Sequence, residues 1–531
     1  MNNYQCQVLT SNPGIQRDGT VYASASFIDG QWARFYLGVP RKIGGYEAID
    51  YGTEEIIRNI YLAPYNNTIQ IYIGRQDSFS YISLPLNGAT NIEAVAEITR
   101  TPAGLTANVN NTWSMELYTS TNDLYPNEQI IAQVCPNGLS LNNSTTGPIY
   151  YGSIANSNSL TPIVDANLGP ITCSGGVVFI APFLVAFGNN GAIIRNDPNA
   201  TDSLNTWSDE TGAPYSNTIA NTKIIAGKTV IGSGNPTGIF WSLNSLTRIT
   251  WTGTTIDGVT VYDFANTPIQ EGTSIISANC VINIQQTYYW IGNDEQFWMY
   301  DGVVQILPNT FNRRWFFDNL NKAYSTRIFG YYDSSYNELK WYAPFGEATE
   351  NTHFIAYSID GQYWYDSANG RSCGVAAGIY SKPILADAQP TIINTRRGPQ
   401  PYYLLWKHET GVDKVIGTEI NAIPANFTHR IFDICSQPGN ENRLLRNRRV
   451  EVDINTTSPM SLSVINLMWA ADWYNGNAIT DGPFLFDRST QFIDMASQGR
   501  LVTFKFESNS IGGDFQGGKT LYDWEIGDVN P

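Results

Sequence analysis

Residues Ser277 to Gly302 read SANCVINIQQTYYWIGNDEQFWMYDG, two aromatic-rich segments joined by a short polar turn. Apolar and polar residues alternate in the first of them with a period of two, which is typical of half-buried antiparallel strands. The same arrangement recurs in Ala226 to Arg248 and in Phe354 to Asp366. The Asp-Gly turns that accompany the three segments are 44 and 59 residues apart, close to one four-stranded propeller blade. The repeat predicts an all-β fold with a β-propeller core.

Tight-turn signals occur along the whole chain. Asp-Gly pairs lie at 18–19, 29–30, 257–258, 301–302, 360–361 and 481–482, and Asn-Gly pairs at 87–88, 137–138, 190–191, 369–370 and 475–476. Both dipeptides accept the positive φ angles of type I′ hairpin turns. Aromatic residues make up 13% of the chain, and large flat side chains suit the packing between blades. Trp290, Trp298, Trp315 and Trp364 are therefore expected in the blade core.

Composition excludes several classes of protein. The chain has 531 residues, a formal net charge of −16 and 42% hydrophobic residues, so it is neither a small stapled scaffold nor a disordered chain. No apolar run approaches the roughly 18 residues of a membrane span, and no cleaved export signal is recognised. Six widely spaced cysteines without a C-x-x-C pair argue against a zinc ribbon. The acidic balance argues against duplex binding on an outer basic surface.

Motifs for catalysis are missing or incomplete. The three histidines are far apart, and His408-Glu409 is followed by Val412 where a zinc protease needs a second histidine. Gly227-Lys228-Thr229 resembles the end of a phosphate-binding loop but lacks its first glycine. Ser358 to Trp364 is one residue short of the Asp-box of sialidase-like propellers. The sequence therefore predicts no catalytic residue, no metal site and no cofactor, and a protein that is not an enzyme.

Composition also suggests domain boundaries. We predict an N-terminal segment at 1–50, a β-propeller body at 51–395, and a basic connector with an additional C-terminal β segment at 396–531. Residues 101–170 and 195–220 are rich in Asn, Ser, Thr, Pro and Gly, so they are interpreted as loop insertions on the β scaffold.

The predicted C-terminal region, 396–531, contains a cluster of arginines at Arg443, Arg446, Arg448 and Arg449. Guanidinium groups bind both carboxylates and phosphates, so three interpretations stay open. The cluster forms salt bridges within or between chains, it contacts phosphate, or it is a solvated surface.

One stretch of the sequence points to a particular protein family more specifically than the repeat does. Phe27 to Phe35 reads FIDGQWARF and Gly38 to Tyr46 reads GVPRKIGGY. The stretch resembles the opening motif of the tail nozzle and packaged-DNA-stabilisation proteins of short-tailed bacteriophages. Its matching residues are Trp32, Arg34, Pro40, Lys42, Gly44 and Gly45. Further similar segments follow in order to residue 366, so the resemblance covers about residues 27–366.

The resemblance implies a β-propeller subunit, six copies of which form a ring-shaped tube below the portal and adaptor rings. Such a tube retains packaged DNA and conducts it during ejection. The implied partners are other copies of the chain, the portal or adaptor, distal tail proteins, and genomic double-stranded DNA that passes without sequence-specific binding. The implied location is the virion tail, after synthesis in the host cytoplasm. The motif residues are expected to serve as a docking element that sets Arg34 and Lys42 against the first blade, or as a structural turn alone.

Two other functions remain open from the sequence. A receptor-binding or glycan-processing propeller of the same kind of virus agrees with the incomplete Asp-box and the abundance of tryptophan. A bacterial adhesion protein agrees with the β pattern but is disfavoured because no export signal is recognised.

Overall fold

Strands dominate the computed structural model. It describes residues 5–85, 97–108, 110–120, 124–135, 147–166, 168, 174–256, 259–376, 382–395, 398–434, 440 and 442–529. Helical segments in these ranges are short: α1 (Arg313–Asn319), α2 (Asp472–Asn475), and the 3-10 turns Val21–Ala23, Asn189–Gly191, Ala278–Cys280 and Lys322–Arg327. The helices connect strands, and α1 also contributes the buried rings of Phe316 and Phe317 to the core.

The chain begins with short strands that do not form a sheet of their own. They are β1 (Gln5–Leu9), β2 (Asn12–Ile15), β3 (Ser26–Phe27), β4 (Asp29–Gln31), β5 (Ala33–Tyr36), β6 (Val39–Lys42) and β7 (Tyr46–Thr53). Strands β2 and β3 pair with each other and β5 pairs with β6, whereas β1, β4, β6 and β7 pair with strands more than 300 residues later. This segment therefore folds only against the rest of the protein.

Six antiparallel four-stranded sheets follow in chain order within the described ranges. The first contains β8 (Ile57–Tyr65), β9 (Thr68–Arg75), β10 (Phe79–Pro85) and β11 (Ile98–Thr99); the second β12 (Thr112–Tyr118), β13 (Gln129–Cys135), β14 (Ile149–Ser153) and β15 (Thr161–Pro162); the third β16 (Gly176–Ile180), β17 (Phe183–Phe187), β18 (Ala192–Arg195) and β19 (Ser216–Thr218). The fourth contains β20 (Ile224–Thr229), β21 (Thr237–Ser242), β22 (Ser245–Ile256) and β23 (Val259–Glu271); the fifth β24 (Ile282–Ile284), β25 (Thr287–Ile291), β26 (Phe297–Tyr300) and β27 (Val304–Ile306); the sixth β28 (Phe329–Asp333), β29 (Glu338–Ala343), β30 (His353–Ser358) and β31 (Tyr363–Ala368).

A seventh sheet combines the two ends of this series. It contains β32 (Arg371–Val375), β33 (Ile384–Asp387), β34 (Thr391–Thr395), β35 (Gly398–His408), β36 (Lys414–Ile416) and β37 (Glu419–Asn421), with β7 inserted between β35 and β36. Strand β7 pairs antiparallel with β35, so residues near the N-terminus complete a sheet built mainly from residues after 370.

The seven sheets form a closed ring. The first strand of each sheet contacts the first strand of the next sheet. The one difference among the described strands is that β20 contacts the 3-10 turn before β24. Strand β32 of the seventh sheet contacts β8 of the first sheet and so closes the circle. Apolar clusters fill the spaces between neighbouring sheets, including one that joins the seventh sheet to the first through Ile49, Ile57, Cys373 and Leu405. Trp290 and Trp364 are buried as expected, whereas Trp298 and Trp315 are half-buried. The predicted β-propeller is confirmed, and the described residues form seven blades.

A β-sandwich is attached to the ring. Its strands after the propeller are β38 (Ala425–Thr428), β39 (Phe432–Asp433), β40 (Arg443–Thr456), β41 (Met460–Leu467), β42 (Ile479–Phe486), β43 (Ile493–Asp494), β44 (Gln498–Gly499), β45 (Leu501–Ser508) and β46 (Phe515–Val529). One sheet has the order β43-β40-β46-β6-β5, with β1 on β46, and the other has the order β4-β38-β45-β41-β42. Their shared core includes Phe35, Phe427, Phe506 and Tyr522, and it continues into the sixth blade through Tyr331 and Tyr365.

The domain boundaries in the structure differ from those expected from composition. The predicted boundary at residue 50 falls inside β7, and β35 to β37, placed in the basic connector, belong to the seventh blade. Residues 101–170 contain the second blade and are not a loop insertion, because their strand pattern is hidden among polar turns. In 195–220 the structure has a loop followed by β19. Residues 136–146, 396 and 397 lie outside the described ranges.

The closure of the ring can be tested at Gly52, whose φ is +69° and where an added Cβ would lie 1.8 Å from the Tyr403 carbonyl oxygen on β35. Gly476 has the same φ of +69° but open space around it. A positive φ costs a non-glycine residue about 1–2 kcal/mol. We expect Gly476→Ala to lower the free energy of unfolding by about that amount, and Gly52→Ala to lower it considerably more because β7 must move away from β35. Thermal unfolding of both variants measures the difference, and equal losses would contradict this account of closure.

Candidate functional site

The residues of the sequence motif meet at the junction between propeller and sandwich. Trp32, Arg34 and Lys42 are at most 3% exposed, and Pro40 is also buried. The Trp32 ring contacts the rings of Tyr46 and Phe354 edge-on. Its backbone N–H donates to the Ser367 hydroxyl of the sixth blade at 2.9 Å. The motif is therefore enclosed by the chain that carries it.

Arg34 is the centre of a buried charge cluster. Its Nη2 lies 3.4 Å from Glu338 Oε2 and 3.9 Å from Asp333 Oδ2, and it also pairs with Glu409. Lys340 Nζ lies 2.9 Å from Asp333 Oδ2 and 3.4 Å from a carboxylate oxygen of both Glu338 and Glu409. All five side chains are between 1% and 4% exposed. Three carboxylates thus surround two cations inside the protein, and we call this the junction cluster.

The junction cluster joins three parts of the chain. Arg34 comes from β5 of the sandwich, Asp333, Glu338 and Lys340 from the hairpin of β28 and β29 in the sixth blade, and Glu409 follows β35 of the seventh blade. The ring of Tyr336, in the same hairpin, covers the guanidinium of Arg34 with its centroid 3.5 Å from Cζ. The cluster therefore fixes the sandwich to two blades at once.

The carboxylates keep the buried cations charged. Burial opposes the charge of Arg34, but Glu338 and Glu409 outweigh burial and raise the Arg34 pKa well above its ordinary value. Burial likewise opposes the charge of Lys340, and Asp333 overcomes it, so the Lys340 pKa is raised. Burial alone would raise the Asp333 pKa, yet Lys340 and Arg34 lower it. These three groups are ionised at neutral pH, as the mutual compensation of buried charges requires.

Gly44 and Gly45 lie in the connection between β6 and β7, where the chain passes from sandwich to propeller. A Cβ on Gly44 would lie 2.5 Å from the Glu409 carboxylate, and the Gly44 N–H donates to that carboxylate at 3.2 Å. A Cβ on Gly45 would lie 2.3 Å from the Asp413 carbonyl oxygen. Glycine at both positions therefore lets this connection approach the segment after β35.

Lys42 and Pro40 hold the other side of the same connection. Lys42 Nζ donates to the Gly513 carbonyl at 2.6 Å, and burial lowers the Lys42 pKa, against the opposing effect of Asp413 and Asp514. Pro40 lies so close to Gly517 of β46 that a Cβ there would approach it to 2.8 Å. Arg34 meets the sixth blade rather than the first, and Lys42 stays within the sandwich, because β5 and β6 pair into the sandwich sheet.

The arginine cluster lies on β40 and faces acidic neighbours on adjacent strands. Arg446 lies 2.6 Å from Asp528 and 3.7 Å from Glu525, Arg448 pairs with Glu525, Arg449 lies 2.8 Å from Asp494, and Arg443 Nη1 donates to the Gly527 carbonyl at 3.3 Å. Of the three interpretations left open by the sequence, salt bridges within the chain agree with this geometry. The partners come from the acidic C-terminal strand β46 and from β43.

The described ranges contain several motif residues that the sequence associates with other chemistry. No group of three or more His, Cys, Asp or Glu side chains there is arranged to hold a metal ion. Gly227-Lys228-Thr229 lies inside β20, not at the start of a helix. The Asp360-Gly361 turn of the incomplete Asp-box joins β30 to β31, and Trp364 beside it is buried. In the part of the chain that the structure describes, no helix has the length and apolar character needed to cross a bilayer.

The sequence did not identify the partners of Arg34. An arginine between apolar residues in ARFY indicates a buried carboxylate partner, but the carboxylates lie about 300 residues or more away in the chain. Only the topology brings them together.

Comparisons with known proteins assign the chain to no family. No family model matches the chain. No curated protein matches it. Among solved structures, it is similar to one described as "YCF48 bound to D1 peptide", with 11% sequence identity, a TM-score of 0.36, and coverage of 69% of this chain and 99% of that chain. The propeller architecture is established by the seven sheets themselves.

The contribution of the junction cluster can be measured by substitution. Removing one partner of a buried ion pair leaves an uncompensated charge and costs about 3–5 kcal/mol. We expect Arg34→Met and Glu409→Gln each to lower the free energy of unfolding by about this amount. The matched control is Arg449→Met, which removes the exposed pair with Asp494 and should cost at most about 1 kcal/mol. Calorimetry or chemical denaturation measures these differences, and similar losses in all three variants would contradict the central role of the junction cluster.

The three histidines give a prediction about pH. His429 is buried beside the rings of Phe27 and Phe427, and burial, helped by Arg430, lowers its pKa to about 3. Burial also lowers the pKa of His353 and of His408, the latter well below its ordinary value. The folded protein therefore keeps each imidazole neutral to a lower pH than the unfolded chain, which gains protons below about pH 6.5. Their contribution to stability is therefore complete above that pH and is lost as the pH falls.

Nuclear magnetic resonance of the protein labelled at histidine tests this directly. We expect the His429 signal to keep its neutral shift from pH 8 to pH 5, the signals of His353 and His408 to titrate below about pH 6.5, and the denatured chain to titrate near about pH 6.5. A folded-state midpoint near 6.5 for any of them would contradict the assigned burial.

Proposed function

We propose that this protein is a structural subunit of the tail of a short-tailed bacteriophage. In this proposal six copies form a ring-shaped nozzle below the portal and adaptor, which retains packaged DNA and conducts it during ejection. Its partners are other copies of the chain, the portal or adaptor, distal tail proteins and the passing DNA duplex. No catalytic step is required of it.

The observation that carries the proposal is the position of the motif residues. The stretch from Phe27 to Tyr46, which resembles the nozzle proteins, is the segment that joins propeller and sandwich through Arg34 and the two glycines. A motif in this position holds the propeller and the sandwich in a fixed relative orientation and so makes the subunit rigid. A tube wall under pressure needs such rigidity, since its two parts must keep a fixed orientation.

Charge supports the same function. A channel that DNA must leave quickly should not bind phosphate, and a chain with a net charge of −16 repels the duplex. The arginine cluster on β40 does not offer a free phosphate site, because Arg446, Arg448 and Arg449 pair with carboxylates. The protein is therefore suited to enclose DNA without holding it.

An exposed apolar surface is available for contact between copies. Trp469, Tyr474, Ile479 and Leu485 lie on the connection from β41 through α2 and on β42, and each is more than half exposed. Strand β42 is the outer strand of its sheet in the described ranges, but Pro483 within it limits the addition of a further strand. We therefore expect side-chain packing against the next copy at this surface, which we call the sandwich edge.

Native mass spectrometry tests the ring. We expect the purified protein to form hexamers, alone or after addition of portal and adaptor proteins. The double variant Ile479→Lys/Leu485→Lys should remain monomeric, because charges on the sandwich edge oppose its burial. Ile392→Lys changes an equally exposed apolar residue in the seventh blade and serves as the control for assembly.

Two results would contradict the proposal. One is a monomer under all conditions, including with the neighbouring tail proteins present. The other is tight binding of a plain DNA duplex at physiological salt, since an acidic conduit should show no such affinity. Imaging of the particle would then show whether the protein lies on the tail axis or at its periphery.

A further inference from the structure

A cleft of about 810 Å³ lies between the third and fourth blades. It is lined mainly by residues from the start of β17, from the end of β18 and the loop that follows it, and from the paired strands β22 and β23, among them Phe183, Arg195, Asp197, Tyr215, Trp251 and Asp263. A cleft of this volume is of the size that holds small-molecule ligands in proteins. It is remote from the junction cluster and from the sandwich edge in the chain, and neither of them uses its residues.

Aromatic rings form the walls of the cleft. The centroids of Phe183 and Trp251 are 4.3 Å apart, and Trp251 also contacts Phe264 with centroids 5.3 Å apart. Tyr215 contributes a third ring, from the loop that follows Trp207. Trp251 and Tyr215 remain partly exposed, so their surfaces are accessible to a ligand. Flat apolar surfaces with a polar edge are suited to stacking against the C–H face of a ring-shaped ligand.

The base of the cleft carries a buried cation. Arg195 is 5% exposed, and its Cζ lies 3.8 Å from the Tyr215 centroid and 5.1 Å from the centroids of Phe183 and Trp251. Its Nη1 donates to the Asn196 carbonyl at 3.1 Å. The three rings and this hydrogen bond fix the guanidinium in one place, so the base of the cleft is preorganised.

The carboxylates of Asp197, Asp209 and Asp263 line the same cleft. Asp197 Oδ1 accepts from the Asn199 N–H at 2.9 Å, and Asp263 Oδ1 accepts from the Phe264 N–H at 2.7 Å. These bonds orient both carboxylates and use one oxygen of each. Asp209 also uses one oxygen, because Oδ1 accepts all three hydrogen bonds from Thr211 and Ala213 in its own loop. Asp197 and Asp263 interact electrostatically with the Arg195 guanidinium, so a ligand at the base of the cleft can reach these two carboxylates.

We propose that this cleft, which we call the interblade cleft, binds a neutral saccharide of two or three sugar units. A hydroxyl both donates and accepts, so a polyol can bond to the carboxylates of Asp197 and Asp263 and to the guanidinium of Arg195 together. An anion would meet the carboxylates, and a simple cation would meet the arginine at the base. The rings of Trp251 and Tyr215 would stack on the sugar faces. This inference does not depend on the proposed ring or on its passage of DNA.

Binding can be measured on the full-length protein with an array of neutral oligosaccharides built from glucose, galactose, mannose, rhamnose or N-acetylglucosamine. We expect at least one of them to bind and to quench tryptophan fluorescence. Asp263→Asn and Tyr215→Ala, which change partly or fully exposed side chains, should weaken that binding at least tenfold, and Trp251→Ala should abolish it. Phe492→Ala removes an exposed aromatic ring that lies neither in the interblade cleft nor on the sandwich edge, and it should leave the affinity unchanged.

The thermal unfolding of each variant shows whether it has kept its fold. If Trp251→Ala does not fold, the affinity of Asp263→Asn decides the test. Binding of no saccharide in the array would overturn the proposal. So would binding that persists in Asp263→Asn and Tyr215→Ala, or tighter binding of spermidine, inorganic phosphate or a proline-rich peptide in the same cleft.

Discussion

The ion pairs around Arg34 are the constraint on which the two-part architecture depends. Two buried cations and three buried carboxylates satisfy one another only when the sandwich, the sixth blade and the seventh blade are all in place. Burying any one of these charges alone would be strongly unfavourable. The junction cluster thus makes the relative position of propeller and sandwich a condition of folding. Hydrophobic burial continues across the same boundary through Tyr331, Tyr365 and Phe427, but apolar contacts tolerate sliding in a way that paired charges do not.

Much of the fold could be predicted because its signals are local. Strand alternation and Asp-Gly turns depend on neighbouring residues, and the Asp301-Gly302 and Asp360-Gly361 pairs do join paired strands. The same dipeptide failed at Asp29-Gly30 and Asp481-Gly482, which lie inside β4 and β42. There, pairing with neighbouring strands outweighs the local turn preference.

What could not be predicted depends on contacts between distant residues. The seventh blade is completed by β7, and no local pattern indicates that residues 46–53 pair with residues 403–408. The partners of Arg34 were missed for the same reason. The sequence allows three interpretations of the arginine cluster, and salt bridges within the chain agree with the structure. This interpretation was available because acidic residues near the C-terminus can be seen in the sequence. The interblade cleft gave no signal, since its aromatic and acidic residues are spread over more than 80 positions.

The position of β7 in the seventh blade also affects how the protein is made. A ribosome releases residues 46–53 long before it releases β35, so the early strand must wait for more than 300 residues of synthesis before its partner exists. During that time the first six blades can form in order, while the ring remains open and the N-terminal strands remain without their sheets. The circle can close only after the strands of the seventh blade, up to β37, have been made, and the sandwich can form only after β46. An unfinished chain therefore lacks the surfaces through which it would join an assembly.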